Sequence, residues 1–197
     1  MDEKTIDFYD HNAEKYSKWR SDQGPDQAQK VFLQNTKPGG YILDLGCGTG
    51  EKSLWFRDNG LNVKAVDASE EMLKFLNNTQ GVFCSQMDIT KLEDEEKFDG
   101  IWASFSIQHL KIDEQNKLLK KIPKCLNKGG IFYLGMHEGS QSYRDQLGRL
   151  YVPRSEKDLR AIFSFNRLSI FEFFREKSSS FDGKPIEVLH LFARQNT

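Results

Sequence analysis

Apolar residues near the start of the chain recur at spacings of three and four. Such spacing predicts an amphipathic helix that buries one face. Pro25 favours the start of a second helix running to about Thr36, because proline is tolerated in the first turn of a helix. The Lys-Pro-Gly-Gly run at 37–40 then breaks it. The apolar face of the first helix comprises Ile6, Tyr9, Ala13, Tyr16 and Trp19.

The hydrophobic pattern changes after residue 40, where short apolar runs alternate with amphipathic segments. Strict alternation of strand and helix favours a parallel sheet with right-handed crossovers. Ligands of such sheets bind outside the carboxyl ends of the strands, near the point where the strand order reverses. The predicted strands are 41–45, 62–67, 82–87, 98–106 and 131–136, and the predicted helices are 51–59, 69–77 and 114–126.

The last third of the chain has a different order, in which a capped helix is followed by two strands. Asp182 and Gly183 lie between these strands and are typical of a hairpin turn, which predicts an antiparallel final pair. We therefore expect an α/β fold with a seven-stranded mixed sheet, mostly parallel with an antiparallel last strand, and helices on both faces. The predicted helix runs from its cap at Ser155 to about Phe163, and the strands are 168–176 and 186–193.

The composition favours one soluble domain over residues 1–197, with 38% hydrophobic and 29% charged residues. A formal net charge of -1 lacks the basic excess of nucleic-acid-binding proteins, so no nucleic-acid partner is expected. The sequence shows neither a membrane-length apolar run nor a signal peptide, so we expect a cytoplasmic protein without a membrane partner. The three cysteines are widely spaced, and no metal-ligand spacing is present, so no metal is expected. The sequence leaves the oligomeric state open.

A glycine-rich loop, Asp-Leu-Gly-Cys-Gly-Thr-Gly at 44–50, follows the first predicted strand and opens a helix. Glycines there permit positive φ angles and close approach of a ligand to the backbone. A phosphate-binding loop and a dinucleotide fingerprint starting at Gly46 both require glycine at position 51, where the chain has Glu51. Asp44 also suits a cationic group better than a pyrophosphate. S-adenosylmethionine (SAM), which carries an amino group and a sulfonium but no phosphate, fits the loop better than NAD or ATP.

This loop resembles motif I of the class I SAM-dependent methyltransferases, and the resemblance extends over residues 6–194. Residues 98–110 and the Gly-Arg-x-Tyr run at 148–151 are similar to the tellurite-resistance methyltransferase-like group of small single-domain bacterial enzymes. The resemblance implies a Rossmann-like sheet, SAM as cofactor and an activity of the EC 2.1.1 class. It also implies that residues 1–37 form a helical lid and that residues 138–154 form a loop over the acceptor pocket.

The resemblance also implies roles for individual cofactor residues. Asp44 would hold the methionine amino group, Asp67 the two ribose hydroxyls and Asp88 the adenine amino group. Asp67 and Asp88 could alternatively cap the segments that follow them. Ala68 and Met72 would pack against adenine. The full set of implied cofactor residues is Tyr16, Asp44, Gly46, Cys47, Gly48, Gly50, Asp67, Ala68, Met72, Asp88, Ile89 and Ser104.

Methyl transfer is an in-line displacement that needs positioning and, for a protonated acceptor, removal of a proton. His109 is the candidate general base, because the pKa of histidine lies near neutrality; alternatively it is a structural histidine bound to backbone. Arg144, Arg149 and Arg154 could clamp an acidic group of the acceptor, or could form ordinary ion pairs with Glu138, Asp145 and Glu156. The candidate acceptor-binding residues are Tyr9, Trp19, His109, His137, Arg144, Arg149 and Tyr151.

These features predict a SAM-dependent methyltransferase that acts on a small-molecule acceptor. A macromolecular acceptor, RNA or protein, also stays open, although the charge balance disfavours RNA. Two alternatives to the activity itself stay open as well. One is a SAM-binding module without catalysis, since fold and cofactor do not establish turnover. The other is a nicotinamide-dependent oxidoreductase on a similar fold.

Overall fold

The computed structural model describes residues 1–21, 24–77, 79–93 and 95–195. The helices are α1 (Glu3–Ser21), α2 (Gln27–Asn35), α3 (Glu51–Asp58), α4 (Glu70–Leu73), α5 (Ile112–Cys125) and α6 (Glu156–Phe165). The strands are β1 (Tyr41–Leu45), β2 (Asn62–Asp67), β3 (Val82–Gln86), β4 (Phe98–Ser104), β5 (Leu126–His137), β6 (Tyr143–Arg144), β7 (Leu150–Tyr151), β8 (Leu168–Ser179) and β9 (Pro185–Gln195).

Seven strands form one sheet in the order β3-β2-β1-β4-β5-β9-β8, and β6 with β7 forms a separate small hairpin. Strands β1 to β5 pair in parallel, whereas β9 is antiparallel to both of its neighbours. The β8–β9 turn includes Gly183 at a φ of 77°, a conformation that glycine adopts without strain. The predicted mixed sheet with an antiparallel last strand is confirmed.

Each face of the sheet has its own apolar core. On one face, Leu119 of α5 and Phe163 of α6 belong to the same buried cluster as Leu134 of β5. On the other face, the rings of Phe32 and Trp102 lie 5.2 Å apart between α2 and β4, with α3 packed beside them. Successive residues of a strand point to opposite faces, so burial on both sides explains why these strands are apolar without interruption.

The strand order reverses between β1 and β4, which leave the sheet centre toward opposite edges. Loops after the carboxyl ends of such strands border a crevice, where ligands bind in open α/β sheets. The glycine loop follows β1 and the turn at 107–109 follows β4, so both lie at this crevice. No described helix has an apolar stretch long enough to cross a bilayer.

Several predicted bounds shift by one or a few residues, and for α2 and α4 the contacts explain the shift. Helix α2 begins at Gln27 instead of near Pro25, because the Asp26 side chain accepts a hydrogen bond from the Gln29 amide at 2.8 Å and caps the helix. The segment capped by Ser69 is helical only to Leu73, not to residue 77. Tighter i→i+3 backbone bonds follow it, and these bring Leu76 into the core with 1% of its surface exposed.

Candidate functional site

The glycine loop is packed tightly between β4 and the turn after α4. Gly46 and Gly50 have φ angles of 83° and 86°, which other residues rarely adopt. A Cβ on Gly46 would lie 2.3 Å from the Ser106 Cβ, and a Cβ on Gly50 would lie 2.4 Å from Leu76. Side chains are therefore excluded at both positions, and the loop is held with bare backbone at the crevice.

Asp67 ends β2 beside this loop, and its carboxylate accepts two backbone hydrogen bonds. The Gly48 amide donates to Oδ2 at 2.8 Å, and the Ser69 amide donates to Oδ1 at 2.9 Å. Burial raises the pKa of this carboxyl, and the two amides partly oppose the rise. A carboxylate offers about four acceptor positions, so further donors such as a pair of hydroxyls can bind.

A small cavity of about 60 Å³ lies over the loop, and we call it the cofactor cavity. It contains most of the residues that the sequence assigned to SAM, together with His109. Its lining comprises Met1, Tyr9, Tyr16, Gly46, Gly48, Asp67, Ala68, Met72, Ile89, Ser104, Phe105, Ser106 and His109.

Four residues assigned to SAM lie outside this lining: Asp44, Cys47, Gly50 and Asp88. Asp44 lies behind the loop, where the Ser53 hydroxyl donates to it at 2.6 Å and burial raises its pKa to about 7. Asp88 accepts from the Thr90 amide at 2.9 Å, the capping role that the sequence left open. Their contacts with the methionine and adenine groups stay predictions.

A second cavity of about 300 Å³, the acceptor cavity, shares Tyr9, Tyr16 and Phe105 with the first. Most of the predicted acceptor-binding residues line it, whereas His109 lines only the cofactor cavity. Arg144 lines neither, since it is exposed and donates to Asp2 at 2.9 Å. The lining comprises Tyr9, Tyr16, Trp19, Arg20, Gly24, Asp26, Phe105, Gln108, His137, Arg149, Tyr151, Glu176, Ser178, Ser179, Ser180, Phe181, Ile186, Val188 and His190.

Sequence reasoning missed the contributions of Phe105 and of the β8–β9 hairpin. Phe105 has a φ of 59°, which turns its ring at the end of β4, and nothing in the sequence signals this conformation. The hairpin turn was predicted, but its contact with α1 was not. The Phe181 ring lies 5.5 Å from that of Tyr16 and 5.4 Å from that of Trp19, so the hairpin closes over α1.

His109 is held as a neutral ring between two hydrogen bonds. Its Nδ1 lies 2.6 Å from the Leu150 carbonyl oxygen, which can only accept, so Nδ1 carries the proton. Burial lowers the pKa of His109 to about 4, which leaves Nε2 as an acceptor at neutral pH. The Tyr9 hydroxyl, 3.2 Å from Nε2, is therefore the donor.

Arg149 is a buried cation that lines the acceptor cavity. It is 2% exposed, and its Nη2 lies 2.7 Å from the Asp145 carboxylate. Its guanidinium also lies 4.8 Å from the Phe8 ring and 5.3 Å from the Tyr151 ring. Burial, followed by the charge of Arg149, lowers the pKa of His137 to about 4.

The remaining ion pairs expected around residues 138–156 are replaced by other contacts. Arg154 is buried and donates to the side chain of Gln115 at 2.8 Å. Glu138 and Glu156 pair with Arg175 of β8, at 2.8 Å and 2.6 Å. The structure therefore shows the expected ion pair of Arg149 with Asp145, whereas Glu138 and Glu156 both pair with Arg175.

Comparison with known proteins agrees with this geometry. A family model described as a methyltransferase domain matches residues 42–130. This match supports the resemblance of the chain to the class I SAM-dependent methyltransferases. It is 28% identical over 113 residues to an uncharacterized methyltransferase of Staphylococcus carnosus, a match covering 57% of this chain and 55% of that protein. The chain thus spans about half the length of this curated relative.

Two solved structures show the same fold over nearly the whole chain. The 1,6-didemethyltoxoflavin-N1-methyltransferase of Burkholderia thailandensis has a TM-score of 0.79 and 20% identity, with 97% of this chain and 86% of that chain covered. TehB from Haemophilus influenzae has a TM-score of 0.74 and 18% identity, with 96% and 67% covered. At these identities the two likenesses show the fold alone.

The residues that line the cofactor cavity fit SAM, the cofactor of the SAM-dependent methyltransferases that the chain resembles. Among the described residues, no lysine or arginine lines the cofactor cavity, so it lacks the cationic side chains that often bind phosphate groups. Met72 and Ile89 offer apolar surface for adenine, and Asp67 offers acceptors for the ribose. The rings of Tyr9 and Tyr16 suit a sulfonium, because aromatic faces attract cations.

Proposed function

We propose that this protein transfers a methyl group from SAM to a small molecule bound in the acceptor cavity. The observation that carries the proposal is the adjacency of the two cavities, which share the side chains of Tyr9, Tyr16 and Phe105. The cofactor cavity has an acidic side chain that suits the ribose of SAM and apolar side chains that suit its adenine. The volume of the acceptor cavity, about 300 Å³, lies at the lower end of the range for ordinary ligand pockets. A structural neighbour with bound 1,6-didemethyltoxoflavin and S-adenosylhomocysteine supports a small-molecule acceptor.

SAM supplies an electrophilic methyl group on a positively charged sulfur. The protein has to place the acceptor atom in line with it and exclude water. Tyr9, Tyr16 and Phe105 border both cavities and are therefore the residues that would frame the transfer. Glycines 46 and 48, with Asp67, would hold the cofactor from the opposite side.

Tyr9 and His109 would together remove a proton from the acceptor. Tyr9 already donates to Nε2 of His109 and also interacts with the Arg149 side chain, so one lone pair of its oxygen is left for an N–H or O–H group of the acceptor. As the acceptor atom gains the methyl group, its proton passes to the Tyr9 oxygen and the Tyr9 proton passes to Nε2. The charge formed on His109 is then stabilised through its Nδ1 hydrogen bond to the Leu150 carbonyl. His109 thus acts as the base through Tyr9.

Helix α1 would act as a lid over the cofactor, within the predicted lid segment 1–37. The cofactor cavity, at about 60 Å³, is below the 300–1,000 Å³ of typical ligand pockets. Tyr9 and Tyr16 form its outer wall, and both belong to α1. Entry of SAM therefore requires this helix to move outward, and closure returns both rings to the cofactor.

Calorimetric titration with SAM and S-adenosylhomocysteine tests the proposal. We expect low-micromolar binding of both and, in a screen of small molecules, formation of S-adenosylhomocysteine with one acceptor class. Absence of binding by either compound would contradict the cofactor assignment. Binding of both without turnover of any acceptor would favour the non-catalytic SAM-binding module.

A further inference from the structure

His190 of β9 carries a polar atom that has no hydrogen-bond partner. The residue is 4% exposed and lines the acceptor cavity. Its Nδ1 lies 3.0 Å from the Tyr133 hydroxyl, but its Nε2 is buried and unbonded among the described residues. The nearest charged group is the Glu176 carboxylate at 3.4 Å, on a side chain that is 52% exposed. Buried polar atoms are nearly always hydrogen-bonded, so such an exception indicates a missing partner.

The surrounding sheet holds the His190 ring in place. Gly135 pairs with Ser104 on one side and with His190 on the other. A Cβ on Gly135 would lie 2.3 Å from the Tyr133 hydroxyl, so the missing side chain lets this hydroxyl cross the strand to reach His190. The Phe174 ring stacks on the imidazole, with the two ring centroids 4.4 Å apart. His190 is therefore oriented by three neighbours, as a binding residue must be.

The position of His190 separates it from the methyl-transfer step. Strand β9 is two strands away from β4, and β8 is three strands away. At a spacing of about 4.8 Å, His190 lies about 10 Å and Glu176 about 14 Å from the strand that ends at the cofactor cavity. These two residues can therefore contact only the far end of an acceptor whose reacting atom lies beside Tyr9. Their role is recognition, not catalysis.

Two of the charged groups that line the acceptor cavity, Arg149 and Asp26, are paired within the protein. Arg149 is paired with Asp145, and Asp26 lies 2.8 Å from the Lys52 ammonium. His137 and His190 are both neutral at pH 7, since burial lowers the pKa of each to about 4. The Arg149–Asp145 pair is neutral as a whole, so it offers no unpaired opposite charge to an anionic or a cationic acceptor. The balance favours an uncharged acceptor.

The acceptor cavity has aromatic walls that suit a flat molecule. Tyr16, Trp19, Phe105, Tyr151 and Phe181 all line it. Flat rings stack on such walls with little loss of conformational entropy. Glu176 at the far end is an acceptor for an N–H group, and the unbonded Nε2 of His190 lies directly beside it.

We propose that His190 and Glu176 form a recognition edge for an uncharged planar heterocycle at the end remote from the cofactor, where Glu176 accepts a hydrogen bond from a ring N–H group and Nε2 of His190 bonds the polar ring atom beside it. This inference rests on the proposed function. It identifies the acceptor as a flat molecule without net charge that carries a ring N–H group on one edge.

The test uses lumazine, a flat bicyclic dione with ring N–H groups, and 1,3-dimethyllumazine, in which methyl groups replace the two N–H hydrogens. Binding of each is measured by fluorescence titration of the full chain saturated with S-adenosylhomocysteine, whose own affinity is first determined by calorimetry. We expect lumazine to bind at least tenfold more tightly than its dimethyl form. The variants Glu176→Gln and His190→Phe should each reduce this ratio toward one, while leaving the affinity for S-adenosylhomocysteine within about threefold.

Glu187→Gln is the matched control, since Glu187 lies on β9 between two cavity-lining residues but points to the opposite face. The Glu187→Gln variant should keep the wild-type ratio of the affinities for lumazine and 1,3-dimethyllumazine. The inference is overturned if lumazine does not bind, if the two probes bind equally, or if both variants keep the preference. Glu176→Gln tests a half-exposed side chain, so a folding defect of His190→Phe leaves a second variant to decide. Failure of S-adenosylhomocysteine to bind would instead contradict the proposed function.

Discussion

The hydroxyl of Tyr9 donates a hydrogen bond to Nε2 of His109 over 3.2 Å, joining helix α1 to the turn after β4. Because Nδ1 of the same ring is held by a carbonyl oxygen, the direction of this bond is fixed. It links the outer wall of the cofactor cavity with a neutral histidine that can receive a proton. Substitutions at either end should therefore affect turnover more than cofactor binding.

Replacing Tyr9 with phenylalanine should remove the proton route and keep the ring. We expect kcat for the acceptor identified by the product-release screen to fall about 10²-fold, within the range of general-base contributions. Affinity for S-adenosylhomocysteine should change less than threefold. Tyr41→Phe is the control, because Tyr41 donates to Glu96 far from both cavities and should keep wild-type kcat. Equal kcat in wild type and Tyr9→Phe would contradict the role of this hydroxyl.

Acid should destabilise the fold through its buried neutral histidines. Burial lowers the pKa of His109, His137 and His190 to about 4, from an ordinary value of 6.5. Between pH 6.5 and 4 the unfolded chain binds more protons than the folded one, so stability is present above this window and is lost as pH falls through it. Each histidine contributes a slope of up to about 1.4 kcal/mol per pH unit.

Urea unfolding of wild type and His190→Phe at several pH values measures this slope. The free energy of unfolding of the variant should depend less steeply on pH than that of the wild type, by about 1 kcal/mol per pH unit. His11→Gln alters an exposed histidine and should change the slope far less. Parallel curves for wild type and His190→Phe would show that His190 titrates normally.

Asp67→Asn should weaken SAM binding while the sheet stays folded. Loss of the negative charge weakens hydrogen bonds from two hydroxyls, each worth about 1.5–3 kcal/mol with a charged acceptor. We expect the Kd for SAM to rise by about 30-fold or more in calorimetry. Asp58→Asn alters an exposed carboxylate at the end of α3 and should leave the Kd unchanged. An unaltered Kd in Asp67→Asn would exclude the ribose role.

Gly50→Ala should destabilise the loop through both backbone strain and a clash. Gly60 has a φ of 87°, close to the 86° of Gly50, but a Cβ there meets nothing within 4 Å. Gly60→Ala therefore measures strain alone, expected to be about 1 kcal/mol. Gly50→Ala also forces Leu76 aside and should cost a further 1–3 kcal/mol or so in denaturant unfolding. Equal losses in the two variants would mean that Leu76 yields without cost.

Phe181→Ala should loosen the contact between the β8–β9 hairpin and α1. The Phe181 ring contacts Tyr16 and Trp19, so its removal takes away apolar surface that holds the lid closed. We expect S-adenosylhomocysteine to dissociate about tenfold faster in stopped-flow measurements. Phe171→Ala on the outer part of β8 is the control and should keep the wild-type rate. An unchanged rate in Phe181→Ala would argue against a closing lid.

The sequence by itself determined the order of helices and strands, the antiparallel final strand and the glycine loop with Asp67. These depend on hydrophobic periodicity, turn chemistry and a local motif, all of which act over a few neighbouring residues. The capping of α2 by Asp26 and the early end of α4 depended on side-chain contacts that periodicity does not contain.

Only the tertiary structure decided which side chains meet in the acceptor cavity. Tyr9 and His109 are a hundred positions apart, as their hydrogen bond records, and His190 and Glu176 come from two strands whose register fixes their separation. The tertiary structure also placed Asp44 behind the loop and paired Arg149 with Asp145. Such contacts follow from the packing of distant elements against one another. Local sequence patterns carry no record of that packing, because it is set by the summed burial of the whole chain.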